Sequence, residues 1–339
     1  MFRTTLIWIV LASLALPSAG CRKEAPRQAA ASPRVVTFAP AITDMTFAMG
    51  LGDHVVGVMT GCALPPGQER PPVGDMFSVN TEEILAVEPD VLMVQQNPAD
   101  FAAVRRLRPS VKLEHFDIER LADIPAAMKR IGTLCGDAAA GERAAGEFQS
   151  QLDAVAKRVK GLPRPRVLFV IGYESPGTGG RSSFVHDMIE VAGGVDAGEK
   201  YPRWANLGME SILGLAPDVL VCWVNPGQEE QARARWQSFK ALPAVAGQKV
   251  FVVSDPNWTI PSGKLAKLTA DLADMIHGSK GAMLLAPLLF ARSMSESLDA
   301  IHASADGSMA PGLRVGFPEH PQATTATTSL EGGTRMVGR

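Results

Sequence analysis

A thirteen-residue phrase occurs twice in this chain and constrains its fold more than any other feature. It reads "EEILAVEPDVLMV" from Glu82 and "ESILGLAPDVLVC" from Glu210, 128 residues later, with seven of thirteen positions identical. Each copy combines an acid-led helix pattern, a Pro-Asp pair that ends the helix, and an apolar strand. Two chance uses of a common helix–turn–strand pattern are the alternative, but the identities favour two similar α/β lobes.

Strand and helix patterns alternate on both sides of one long helical segment, which predicts parallel sheets covered by helices. Residues 138–161 contain no strand pattern, and their apolar residues recur every three or four positions. This spacing predicts a helix of roughly 36 Å. A further surface helix is one interpretation; its length favours a strut between a lobe over residues 34–137 and a lobe over 162–278.

The start of the chain is typical of an export signal. Arg3 precedes an eleven-residue apolar run, residues 6–16, and small residues follow. Such a run is too short to cross a bilayer as a mature helix. We therefore predict a signal peptide over residues 1–20 and export to the periplasmic or cell-surface side of the membrane.

The residues next to the signal and at the other end of the chain are predicted to lie outside the folded part. "SAGC" resembles a bacterial lipobox, so we expect a lipid on Cys21 that anchors the protein to the membrane. Ser18 departs from that pattern, and cleavage that leaves a free Cys21 is the alternative. Residues 21–33 have the composition of a tether. Residues 279–339 have that of a disordered tail.

Composition and the placement of reactive side chains exclude several functions. The net charge of −2 gives no reason to expect a nucleic-acid partner. Ser182, Ser183, His186 and Asp187 are close in sequence, but on one helix they cannot converge as nucleophile, base and orienting acid, so we expect no enzyme. The histidines are scattered without metal-ligand spacing. We expect no resident metal or cofactor, and any bound metal should arrive already chelated.

The cysteines beyond Cys21 permit one disulfide among them. Cys62, Cys135 and Cys222 are an odd number in an oxidising compartment. Cys222 closes an apolar strand pattern, which is typical of a small buried side chain. Cys62 and Cys135 both lie in the first half of the chain and are therefore the favoured pair.

Four segments, taken in order, resemble the substrate-binding proteins of ABC importers for cobalamin, ferric siderophores and haem. They are "RVVTFAPAITDMTFAMGLGDHVVGVMTGC", "VGDMFSVNTEEILAVEPDVLM", "FVHDMIEVAGGV" and "ALPAVAGQKVFVV". The resemblance covers residues 34–278. It implies two parallel-sheet α/β lobes joined by one long rigid helix, with a ligand cleft between the lobes.

The same resemblance implies a monomer that delivers its ligand to an ABC permease and its ATPase. A membrane-tethered accessory or sensor protein, presenting a bound tetrapyrrole or siderophore to another membrane protein, is the alternative function. Family members dock to the permease through one surface glutamate on each lobe, and by motif these are Glu82 and Glu210. Such acids would form charge-assisted pairs with permease arginines. Simple stabilisation of the helix starts is a compatible alternative role.

Ligand-binding residues are predicted in the loops after the strands, where ligands of open α/β sheets bind. Aromatic residues concentrated there suit a large flat ligand. In the cobalamin-binding relatives both positions six residues before the docking glutamates are aromatic, so Trp204 matches and Met76 departs. Arg181 lies in a Gly-rich loop where it could meet a carboxylate or phosphate. The predicted site comprises Pro40, Ala41, Met76, Phe77, Gln95, Tyr173, Arg181, Trp204 and Trp258.

Overall fold

The computed structural model describes residues 32–278 of the chain. Within this range two α/β lobes flank one long helix, which confirms the predicted fold class. The predicted signal peptide, Cys21, nearly all of the tether and the C-terminal tail lie outside the described residues. The domain boundaries placed there stay predictions.

The first lobe contains four strands and four helices in alternation. In chain order its elements are β1 (Val35–Phe38), α1 (Pro40–Ala48), β2 (Val55–Val58), α2 (Thr81–Ala86), β3 (Val91–Val94), α3 (Ala102–Leu107), β4 (Lys112–His115) and α4 (Asp123–Leu134). All strand pairs are parallel, in the order β2-β1-β3-β4. Every residue of β1 and β3 is buried, as expected for central strands covered on both faces.

A single helix, α5 (Ala138–Val159), follows the first lobe. Asp137 begins it, because its Oδ1 accepts a hydrogen bond from the backbone N of Ala140 at 2.9 Å. The buried stripe that was read from the sequence includes Phe148, Leu152 and Val155. The predicted helix over residues 138–161 therefore forms and ends two residues earlier than expected.

The second lobe repeats the alternation with additional elements. In chain order these are β5 (Arg166–Ile171), β6 (Gly177–Gly179), α6 (Phe184–Val191), β7 (Val195–Asp196), β8 (Trp204–Asn206), α7 (Met209–Leu215), β9 (Val219–Trp223), α8 (Glu229–Ser238), α9 (Pro243–Ala246), β10 (Val250–Val253) and α10 (Leu265–His277). The sheet order is β10-β9-β5-β6-β8, with β7 also paired to β5.

This second sheet is mixed, which differs from the purely parallel prediction. β6 pairs antiparallel with both β5 and β8. The residues Gly177–Gly179 have no alternation of apolar and polar side chains, so the sequence contains no strand signal there. Pairing with neighbouring strands, and not local preference, makes this segment a strand.

The repeated phrase has the same structure in both lobes. Asp90 Oδ2 accepts a hydrogen bond from the backbone N of Arg34 at 2.9 Å, and Asp218 Oδ2 accepts one from the backbone N of Arg166 at 2.9 Å. Each arginine side chain also donates to carbonyls at the end of the helix in its own copy of the phrase. The aspartate of each Pro-Asp pair thus fixes the start of its lobe's first central strand.

The residues before the two prolines are also equivalent. Glu88 has φ of 44° and Ala216 has φ of 45°, both in the left-handed region that residues other than glycine seldom adopt. Ala216 is the C-cap of α7 and Glu88 follows the C-cap of α2, and the proline after each of them cannot continue the helix. Shared hydrogen bonds and shared backbone angles support internal similarity over two chance uses of one pattern.

One hydrophobic core cluster runs from one lobe into the other. It includes Met93 of the first sheet, Ile131 of α4, Phe148 of α5, Leu272 of α10 and Val221 of the second sheet. Because close-packed apolar side chains resist separation, the lobes are joined by packing as well as by the chain. None of the helices between residues 32 and 278 has an apolar stretch that could span a bilayer.

The favoured disulfide is wrong. Cys62, Cys135 and Cys222 are all free thiols in the structure. Cys62 accepts a hydrogen bond from Thr43 Oγ1 at 3.3 Å, whereas Cys135 lies at the end of α4, fully buried. Membership of the same half of the chain did not join the two sulfurs: Cys62 lies in the loop after β2 and Cys135 at the end of α4.

Candidate functional site

The two docking candidates occupy matching places on short helices. Glu82 and Glu210 are the second residues of α2 and α7, and both are exposed. Neither caps its helix, since Asn80 accepts the capping hydrogen bond from Glu83 in α2 and Gly208 precedes α7. Over residues 32–278 neither glutamate side chain forms a hydrogen bond or an ion pair. Both carboxylates are therefore free to meet a partner.

Large apolar side chains are exposed just before each of these helices. Met76 is 49% and Phe77 72% exposed before α2, and Trp204 is 43% exposed before α7. The backbone N of Phe77 donates to Asp75 Oδ1 at 2.8 Å, which fixes the turn that presents it. The ring of Trp204 packs at 5.7 Å against the ring of Phe184. Each lobe thus presents an apolar surface beside its candidate docking helix.

Two further predicted residues follow central strands. Gln95 follows β3, is partly buried, and its carbonyl accepts a hydrogen bond from His115 Nε2 at 3.3 Å. Tyr173 follows β5, and its carbonyl accepts a hydrogen bond from Arg235 Nε at 3.2 Å. Since both backbones are engaged, the half-buried Gln95 and Tyr173 side chains are what these positions offer to a ligand.

Two other predicted residues belong to the core. Ala41, in the first turn of α1, is 1% exposed and offers no side-chain surface, although Pro40 before it is partly exposed. Trp258 is 3% exposed and its ring stacks on Phe169 at 5.9 Å. The Trp258 side chain therefore packs the second lobe and is not a surface for a ligand in this structure.

Arg181 lies in a loop whose backbone is hydrogen-bonded to the segment 201–203. Its backbone N donates to the Tyr201 carbonyl at 2.9 Å, and Gly180 N donates to the Arg203 carbonyl at 3.0 Å. A Cβ at Gly180 would lie 2.0 Å from the Tyr201 carbonyl oxygen, so the glycine is required for this approach. Arg181 is exposed and lies two residues after Gly179, which pairs with Trp204. The predicted residues Arg181 and Trp204 are therefore neighbours along this sheet edge.

The side chains considered for catalysis form separate structural contacts. His186 Nδ1 lies 3.0 Å from Asp196 Oδ2, while Asp187 pairs with Arg120 and Ser183 caps α6 through the backbone N of His186. No group of three or more His, Cys, Asp or Glu side chains within the described range is arranged to hold a metal ion. The expectation that no metal or cofactor is resident stays a prediction.

Two side-chain contacts in this part of the molecule were not predicted from the sequence. Phe184 supports the ring of Trp204 although the two residues are 20 positions apart, and its apolar character alone indicated only a core residue. Arg120 meets Asp187 across 67 positions. A single sequence without aligned relatives does not show such pairs, because nothing in their local pattern connects them.

Several known proteins are similar to this chain in sequence. A family model described as periplasmic binding protein matches residues 35–256. An uncharacterized ABC transporter substrate-binding lipoprotein of Bacillus subtilis is 26% identical over 254 residues, covering 72% of this chain and 80% of its own length. The vitamin B12-binding protein of Pectobacterium carotovorum is 24% identical over 217 residues, covering 62% of this chain and 79% of its own length.

Among solved structures, the periplasmic heme binding protein of Vibrio cholerae superimposes with a TM-score of 0.65 at 16% identity. The alignment covers 72% of this chain and 99% of that one. At such low identity the likeness shows the fold alone.

Proposed function

Because the chain belongs to the periplasmic binding protein family, we propose that it is the substrate-binding component of an ABC importer for a corrinoid. The observation that supports this most is the pair of exposed apolar surfaces, Met76 with Phe77 on one lobe and Trp204 on the other. They stand at the same distance in sequence before Glu82 and Glu210. A large flat ligand held between two lobes needs an apolar contact from each side.

A corrinoid suits these residues because its cobalt is already chelated by the ring and needs no protein ligand. Trp204 matches the aromatic position of cobalamin-binding relatives. Phe77 lies beside Met76 and is 72% exposed, so it can supply the aromatic face that Met76 lacks. The relative whose name states vitamin B12 binding supports the same ligand class.

Haem is the second candidate, since the heme binding protein of Vibrio cholerae shares the fold. A haem iron would require an axial ligand from the protein. Tyr173 after β5 and His115 at the end of β4 are the residues of suitable chemistry at strand ends. Tyr173→Phe and His115→Ala should then weaken haem binding, and His115→Ala, which lies outside the predicted site, should leave cobalamin binding unchanged.

Titration with cyanocobalamin, followed by tryptophan fluorescence, tests the corrinoid proposal. We expect saturable quenching with one site per chain. Trp204→Ala should weaken binding, because an interface aromatic in a desolvated site contributes about 2 kcal/mol or more. Leu213→Ala removes an exposed apolar side chain of α7 outside the predicted site and should bind like the wild type. Absence of quenching with cyanocobalamin, haem and a panel of ferric siderophores would contradict the whole site assignment.

We also propose that the protein is exported and held at the membrane by lipid on Cys21. The apolar run before "SAGC" supports this, as does the lipoprotein relative of Bacillus subtilis. Metabolic labelling with a fatty-acid analogue should mark the wild type and not Cys21→Ser. Equal labelling and equal membrane association of the two would show that the thiol is not the anchor.

A further inference from the structure

Asp187 on α6 of the second lobe is bound by the first lobe. Its Oδ2 accepts hydrogen bonds from Arg120 Nε at 2.8 Å and from the backbone N of Leu121 at 3.0 Å. Its Oδ1 pairs with the Nη2 of the same arginine. Arg120 and Leu121 lie between β4 and α4 of the first lobe. One carboxylate therefore receives three hydrogen bonds across the lobes, two of them in the forked geometry of strong arginine–carboxylate pairs.

Both sides of this contact are held in place by their own lobes. Asp123 Oδ2 accepts hydrogen bonds from the backbone N of Glu119 at 3.1 Å and of Arg120 at 2.8 Å, which fixes the turn. Asp187 lies in the first turn of α6, where the helix dipole favours a negative charge. The pKa of Arg120 is raised, chiefly by its hydrogen bond to Asp187. The two partners are thus preorganised for each other.

A second ion pair crosses between the lobes at another place. Lys264 Nζ, just before α10, lies 2.5 Å from Asp44 Oδ1 on α1. The side chains of Asp44 and Asp187 are only 17% and 16% exposed, whereas the two cations are about half exposed. A carboxylate that has been taken out of water is strongly destabilised when its partner is removed. Movement of the lobes that separates either pair is therefore unfavourable.

We propose that these two interlobe pairs, Arg120–Asp187 and Asp44–Lys264, fix the orientation of the lobes and keep the cleft at one width. The helix α5 and the shared apolar cluster join the lobes, but apolar packing is non-directional and does not by itself set their orientation about the helix axis. Contacts made by other elements, α6 with the β4–α4 turn and α1 with the start of α10, do set this orientation. Asp187 and Asp44 are thus positioning residues, which influence a ligand through the spacing of the exposed Phe77 and Trp204 on the two lobes.

The inference does not depend on the ligand class and is tested on the ligand-free full chain. Asp100→Cys and Gln237→Cys place spin labels at exposed positions, one in each lobe, in a background that carries Cys21→Ser and Cys62→Ser. Distances between the labels are measured by pulsed electron paramagnetic resonance. We expect one narrow distribution for the wild-type pairs, and a broader or displaced one for Asp187→Asn and for Arg120→Gln.

Glu190→Gln is the matched control, because Glu190 lies on the same helix as Asp187 but pairs with Arg164 of its own lobe. It should leave the distribution unchanged. An unaltered distribution in a natively folded Asp187→Asn protein, or equal broadening in Glu190→Gln, would overturn the proposal. If Asp187→Asn does not fold, Lys264→Gln decides: broadening supports the proposal, and an unchanged width overturns it.

The apparent affinity for cyanocobalamin gives a second readout, which should change only if the orientation of the lobes affects the ligand site. If the fraction of molecules with a competent cleft falls to about one fifth, the apparent affinity for cyanocobalamin falls about fivefold. We expect this loss in Asp187→Asn and not in Glu190→Gln. Absence of cyanocobalamin binding by the wild type would contradict the corrinoid proposal alone, since the distance measurement is made without ligand.

Discussion

Asp196 is a carboxylate that the second lobe buries beside a histidine. It is 1% exposed, its Oδ1 accepts a hydrogen bond from the backbone N of Gly198 at 2.7 Å, and its Oδ2 lies 3.0 Å from His186 Nδ1. Burial raises the pKa of Asp196 above the ordinary 3.8, and the hydrogen bonds from Gly198 and His186 oppose this only in part. The folded chain therefore binds this proton more readily than the unfolded chain.

Because the pKa of Asp196 is raised in the folded chain, its contribution to stability should depend on pH. Stability from a carboxyl with a raised folded pKa is present below its unfolded pKa and is lost as pH rises through its folded pKa. Asp196→Asn retains the shape without the charge, so its unfolding free energy relative to the wild type should increase as pH rises from about 3. Urea titrations at several pH values measure this difference. Asp100→Asn, at an exposed carboxyl, is the control, and a difference that stays flat with pH would contradict the prediction.

Cys135 and Cys222, the two buried cysteines of the described residues, should be unreactive while the protein is folded. Burial raises the pKa of Cys135 and of Cys222 to about 12, and it also raises the pKa of Cys62. Since the thiolate is the reactive form, iodoacetamide at about pH 8 should modify Cys135 and Cys222 only after denaturation. Reductant should leave Tm unchanged. An intact mass lower by two hydrogen atoms than that of the reduced chain, mapped to Cys62 and Cys135, would show that the predicted disulfide forms.

At the scale of elements, α5 depends on backbone contact with α4. A Cβ on Gly141 of α5 would lie 2.6 Å from the carbonyl oxygen of Met128, and one on Gly132 of α4 would lie 2.7 Å from the carbonyl oxygen of Asp137. The absent side chains permit the two helices to touch. Gly146, farther along α5, has nothing within 4 Å of its added Cβ.

Alanine substitutions in α5 should therefore have opposite effects. Gly141→Ala forces the helices apart and should destabilise the protein by about 1–3 kcal/mol, because a methyl group does not fit a packed contact. Gly146→Ala should stabilise it by about 0.5–1 kcal/mol, since alanine is the better helix former. Urea denaturation, analysed with one m-value for all variants, measures both changes in the free energy of unfolding. If the two variants changed stability in the same direction, the α4–α5 contact would not be as close as described.

For the whole molecule, the two lobes should dock to the permease as a pair. Exposed ion pairs contribute only about 0–1 kcal/mol, but truncating one partner of a desolvated interface pair costs about 2–5 kcal/mol. Glu82→Ala and Glu210→Ala should each weaken association with the permease, and the double variant should nearly abolish transport. Each of the two substitutions should lower the free energy of unfolding by only about 0.3–1 kcal/mol. Uptake of labelled cobalamin by cells and equilibrium binding by the purified protein measure the two effects separately.

Glu83→Ala is the control for docking, because Glu83 is the exposed neighbour of Glu82 in the same turn of α2. It should transport normally. Normal transport by the double variant would remove the docking role from both glutamates. A loss of ligand affinity as large as the loss of transport would instead assign them to the cleft.

Features that depend on local chemistry were predictable from the sequence. The periodicity of residues 138–161 predicted α5 because helix formation follows the spacing of apolar side chains along a single segment. The Pro-Asp turns were predictable because a proline beyond the first turn removes a backbone hydrogen bond and clashes with the preceding turn, so that the helix stops before it. Trp204 was predictable as an exposed aromatic by its distance from Glu210, through the family resemblance and not through periodicity.

Tertiary structure alone decided the features that join distant residues. It turned the Gly177–Gly179 segment into an antiparallel strand, placed Trp258 on Phe169 in the core, kept Cys62 apart from Cys135, and brought Arg120 to Asp187. In each case the deciding energy lies in contacts between segments far apart in the chain. Local preference fixes which segments become helices and strands, whereas burial and hydrogen bonding in the assembled lobes fix which side chains remain exposed to bind a ligand or a partner.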